Sequence, residues 1–69
     1  MRKRYYAVSR ALVGRSIEYA ANLAKENEAK LCVVNPDSGE VTQVLSEGSR
    51  EVVEIEVENG KVARIVRVI

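Results

Sequence analysis

Residues 51–69 read EVVEIEVENGKVARIVRVI, two runs dense in valine and isoleucine on either side of Asn59-Gly60. Asn-Gly is preferred in two-residue type I′ hairpin turns because both central positions need positive φ. Two antiparallel strands, 51–58 and 61–69, are therefore expected. Setting Glu58 against Lys61 places Val57 opposite Val62, Ile55 opposite Arg64 and Val53 opposite Val66, so one face is almost wholly aliphatic. The other face receives Glu54, Glu56, Glu58, Lys61 and Arg67, with Val52, Ala63 and Ile65 among them. A slip of one residue would exchange the two faces, which should hold the register firmly.

Upstream, Leu31-Cys32-Val33-Val34 reads as a strand, and Asn35-Pro36-Asp37-Ser38-Gly39 supplies turn chemistry, proline fixing φ and glycine permitting a positive one. Residues 40–45 form another extended segment, broken by Ser46-Glu47-Gly48-Ser49. Further back the pattern turns helical. Ile17, Ala20, Ala21 and Ala24 recur at spacings of three and four, and Glu18, Asn22, Lys25 and Glu26 take the other side. Ser16 suits the N-cap, Glu18 complements the positive end of the helix dipole, and Asn27 suits the stop, predicting a helix over about residues 16–28. An aliphatic helix stripe and an aliphatic sheet face imply an α+β domain, one helix packed on a sheet of about four strands. Residues 1–69 make a single domain, with 1–10 a basic arm or a short strand at Tyr5-Tyr6-Ala7-Val8.

The chain is 46% apolar and 30% charged, which places it with folded domains and away from disordered ones. Phe and Trp are absent, so Val, Ile, Leu and Ala must build a thin core, to which a homodimer would add buried area. The shortage of thermolabile residues beside frequent Glu, Lys, Arg, Val and Ile hints at a thermophile. No run approaches the roughly 20 apolar residues of a membrane helix, and the basic start lacks the apolar stretch of a secretory signal. One cysteine permits no internal disulfide. A cytoplasmic protein without membrane association is the expectation.

Chemistry is limited by what is missing. The chain has no histidine, the commonest general base and neutral metal ligand, and a lone thiol cannot close a zinc site. No glycine spacing fits a phosphate-cradling loop. Cys32, inside an apolar run, reads as a buried small hydrophobe. The glutamates of the hairpin read as a solvated face. No catalytic residue, cofactor or metal ligand is expected, and the function class is a non-enzymatic binding protein.

Leu12-Val13-Gly14-Arg15-Ser16-Ile17-Glu18-Tyr19-Ala20 resembles the entry segment of the potato inhibitor I family of serine-protease inhibitors. The likeness continues at residues 29–34, at Pro36, Gly39, Val41 and Thr42, at Ile55-Glu56-Val57 and at residues 60–68. The resemblance implies a helix on a small mixed sheet and an exposed loop at residues 39–50 that lies in a protease cleft. Rigidity makes such a loop an inhibitor, since a preorganised segment binds at little entropic cost. Val41, Thr42, Gln43 and Val44 would then contact a serine protease, with Gln43 read by its specificity pocket and Arg50 bracing the loop. The chain departs from the family where Val44 stands for an acidic residue, where Glu54 stands for a bracing arginine, and in its longer loop.

Two other readings stand beside it. If Asn35–Gly39 is a hairpin turn, residues 40–45 pair and the sheet is an antiparallel meander without a reactive loop. Five of the eleven basic residues and none of the ten acidic ones lie in residues 1–15. Arg2, Lys3, Arg4 and Arg10, with Tyr5 and Tyr6 as stacking surfaces, would serve an adaptor that binds nucleic acid or an acidic protein. A homodimeric domain whose exposed strand edge pairs with itself is the remaining reading.

Overall fold

The structure, a computed structural model, describes residues 11–69. Helix α1 (Ile17–Glu26) packs on a four-stranded mixed sheet of β1 (Ala29–Val34), β2 (Val41–Ser46), β3 (Glu51–Glu58) and β4 (Lys61–Val68). Ser16 caps the helix as expected, its hydroxyl oxygen accepting the Tyr19 N–H at 3.1 Å. Asn27 ends it, with its side-chain amide donating to the Leu23 carbonyl at 2.8 Å. Ala20 and Ala24 are the fully buried residues of α1. Their short side chains let the helix lie close on the sheet, over a core of Leu12, Ala29, Leu31, Val53, Ile55 and Val62.

The strand order is β2-β1-β3-β4, with β1 parallel to β3 and the outer pairs antiparallel. The meander is thereby excluded, because β1 and not β2 is the neighbour of β3. The exposed loop at 39–50 is corrected too: Val41, Thr42, Gln43 and Val44 lie in β2, hydrogen-bonded to β1. The turn at 35–40 does this. The Asn35 N–H donates to Glu40 O at 2.8 Å, the Gly39 N–H donates to Asn35 O at 2.7 Å, and Asn35 Oδ1 accepts the Asp37 N–H at 2.8 Å. A hairpin tied so closely folds 41–46 back on β1 instead of releasing it as a loop.

Having paired on the far side of β1, the chain must return past the start of that strand to reach β3. Residues 47–50 make this crossing over the α1–β1 turn, where Glu28 takes φ 58° and the Arg50 N–H donates to its carbonyl at 3.1 Å. Gly48 is the closest point. A Cβ there would lie 2.4 Å from the Glu28 carbonyl oxygen, closer than backbone atoms tolerate.

The β3–β4 turn follows the sequence reading, with Asn59 and Gly60 at φ 56° and 76°, Glu58 opposite Lys61 and Val57 opposite Val62. Beyond Val57 the register departs from it. Arg64 pairs with Glu56, Ile65 with Ile55, Arg67 with Glu54 and Val68 with Val53, so Ala63 and Val66 are bulged out of the ladder. Unbroken alternation would have set Arg64 against fully buried Ile55. Burying an unpaired guanidinium costs far more than distorting an edge strand. The first bulge turns Arg64 to Glu56 at 2.8 Å and the second turns Arg67 to Glu54 at 3.1 Å, while Ile65 and Val68 swing onto the core.

Gly48→Ala should lower unfolding stability by about 1–3 kcal/mol, the usual penalty of overpacking a tight backbone contact. Urea unfolding of the two proteins measures this, and equal midpoints would show that the crossing is looser than described.

Candidate functional site

The two sheet edges differ in how they are guarded. The start of β4 is covered by the segment leading into α1: the Gly14 N–H donates to Val62 O, the Val62 N–H donates to Arg15 O, both at 2.8 Å, and Ser16 bridges Lys61. The rest of β4 carries Arg64 and Arg67, and cationic side chains discourage a further strand. β2 is the opposite case. Val41-Thr42-Gln43-Val44-Leu45-Ser46 holds no charge, and among the described residues no strand lies on its outer side.

Side-chain directions along β2 follow from its pairing. Val34 opposes Val41, Val33 opposes Gln43, Cys32 opposes Val44 and Leu31 opposes Ser46, so Thr42 and Leu45 are without opposite numbers. Leu31 and Val33 belong to the core side, which places Gln43 on the α1 face and Val41 and Val44 on the face turned away from α1. Val41 is 46% and Val44 42% exposed, large values for valines in a strand. Leu45 packs on the core, and buried Ser46 donates its hydroxyl to Ala29 O at 3.1 Å. The C-terminal end of β2 is thus anchored and its N-terminal four residues are presented.

The face away from α1 grades from apolar to charged. One row runs Val44, Cys32, Glu54, Arg67 across β2, β1, β3 and β4. The acids of this face are taken up by the β4 arginines and leave its β2 side to aliphatic groups. Cys32 is only 2% exposed. Burial pushes its thiol up, Glu54 and Glu47 push the same way, and Lys30 opposes them. A protonated, covered thiol is no nucleophile. Between α1 and β2 lies an open groove of about 410 Å³ lined by Ala21, Asn22, Lys25, Leu45, Ser46 and Glu47.

The residues of the expected inhibitor loop are therefore together, but as an edge strand. Arg50 lies outside β2, in the crossing segment, where its backbone N–H donates to Glu28 O. The basic-arm residues Arg2, Lys3, Arg4, Tyr5, Tyr6 and Arg10 lie outside the described residues. No group of three or more Cys, Asp or Glu among the described residues is arranged to hold a metal ion. No helix among them is long and apolar enough to cross a membrane. No protein-family model, curated protein or solved structure matches the chain.

Because the folded thiol keeps its proton above the ordinary value of 9.0, the native state holds more proton than the unfolded one once pH passes that value. Stability is then complete below about pH 9 and falls as pH rises further. Urea midpoints at pH 8 and pH 10 should drop more for the wild type than for Cys32→Ala, and parallel drops would remove Cys32 as the cause.

Proposed function

We propose that this chain is a small non-enzymatic binding module whose recognition element is the outer edge of β2. One contrast carries the reading: β4 is covered at its start and charged beyond it, whereas β2 is uncharged, without a neighbouring strand on its outer side among the described residues, and faced by two half-exposed valines. An edge of this kind takes an extended segment by backbone pairing, with alternate side chains supplying selectivity. The absence of histidine from the sequence, the sealed Cys32 thiol and the pairing of Glu54 and Glu56 with arginines all favour binding over catalysis. Edge pairing replaces the protease-directed loop, since a protease cleft surrounds a projecting segment and β2 offers one edge only.

Titration of the isotopically labelled protein with short uncharged peptides of alternating valine and threonine tests the reading. Amide shifts should concentrate in residues 41–46, and Val44→Lys should weaken binding at least about tenfold by placing a cation on the edge. Saturating peptide that leaves the β2 amides unmoved would rule out strand addition.

A further inference from the structure

The β2 edge has a property that a general strand acceptor does not need: it is complementary to itself. Val41-Thr42-Gln43-Val44 runs apolar, polar, polar, apolar, and so reads alike in both directions. Antiparallel pairing about a two-fold axis between Thr42 and Gln43 sets Val41 opposite Val44 of a second copy, and Val44 opposite its Val41. Thr42 meets Gln43 of the second copy in the same way, a hydroxyl against an amide. Both valines sit on the face away from α1, so the two Val–Val pairs form on one side of the joined sheet and cover the most exposed aliphatic groups of β2. Cross-strand pairs of β-branched residues are favourable, and like charges directly opposite are not. In this register none arise: Glu40 falls opposite Leu45, Glu47 opposite Ser38 and Asp37 opposite Gly48 of the second copy.

The bends of β2 point the same way. Its ladder with β1 skips Thr42 and Leu45, and each irregularity twists the edge away from a regular strand. In the two-fold register the Thr42 irregularity of each copy falls opposite Gln43 of the other, so these two irregularities meet beside the axis.

Resting on the edge-binding reading above, we infer that the partner of β2 is β2 of a second copy, paired antiparallel with the two-fold axis between Thr42 and Gln43 to give a continuous eight-stranded sheet. A contact of one short strand per copy lies below the roughly 1,200 Å² of a standard interface, so the dimer is weak and dissociates on dilution.

The register is tested by disulfide trapping in a Cys32→Ala background. Val41→Cys and Val44→Cys proteins are prepared separately and oxidised alone or mixed at high concentration. Directly opposite residues lie within the 4.4–6.8 Å Cα separation that a disulfide spans, and positions offset by three residues do not. The mixture should give a cross-linked dimer while each protein alone stays largely monomeric. Cross-linking of either protein alone as fast as the mixture would overturn the register. Sedimentation of the unmodified protein supplies the second arm, with a weight-average mass that rises with concentration and at least about a tenfold weaker association for Val44→Lys. A clean monomer at millimolar concentration whose β2 amides still respond to the valine–threonine peptides would sink self-pairing and leave edge binding standing. A monomer that ignores those peptides as well would remove both.

Discussion

Parallel pairing of β1 with β3 is the constraint on which the rest of the structure depends. Parallel neighbours need a connection long enough to carry the chain back to the same end of the sheet, and in most folds a helix does this. Here residues 35–50 do it with a hairpin strand and a short crossing. That choice puts β2 outside β1, gives the sheet an uncharged edge, and drives residues 47–50 across the backbone of Glu28 and Ala29. A glycine is required where they touch. The uncharged β2 edge and the close crossing at Gly48 thus have one topological origin.

A second constraint acts on the other side of the sheet: no arginine of the hairpin enters the core, and the one buried acid, Glu54, is paired with Arg67. A core built without Phe or Trp, with Ala20, Ala24 and Ala29 among its members, has little aliphatic area to spare and cannot accommodate a guanidinium. Two bulges in β4 meet this condition by turning Arg64 and Arg67 toward Glu56 and Glu54 and returning Ile65 and Val68 to the interior. The Arg64–Glu56 pair is largely exposed and contributes little to stability, on the order of 0–1 kcal/mol. Its consequence is spatial: Arg64 and Arg67 neutralise Glu56 and Glu54 on the outer face, and β2 itself carries no charge.

Elements with a local cause were legible in the sequence. Ser16, the alanine stripe and Asn59-Gly60 each fix their own conformation, and the helix, the turn and the α+β class follow from them. What was not legible is long-range. Turn chemistry at Asn35–Gly39 pointed to a paired strand, yet no local signal said which strand would neighbour β3, and the meander and the mixed sheet share the same segments. The bulges were hidden for a related reason. Strict alternation after Lys61 is the simplest reading of the hairpin, and it fails only because Arg64 would face Ile55, a conflict visible once both faces of the sheet are assigned. The edge residues Val41–Val44 were singled out by a family resemblance as parts of a loop. They are presented together to solvent, but in a strand, because the 35–40 turn holds them against β1.

The two edges show two ways of dealing with unpaired strands. Charge, as on β4, repels every incoming strand alike, since a cation is poorly solvated beside any neighbour. The β2 edge carries two irregularities in its ladder in place of charge. A protein that needed only to stay monomeric could have placed a lysine at Val41 or Val44, where the side chains are already half in water and the fold would lose little. Valines at both positions, on an edge strand without charge, favour recognition over exclusion as their explanation. Under the proposed pairing, the same aliphatic groups that make the isolated edge a liability would form the contact surface with an equivalent edge.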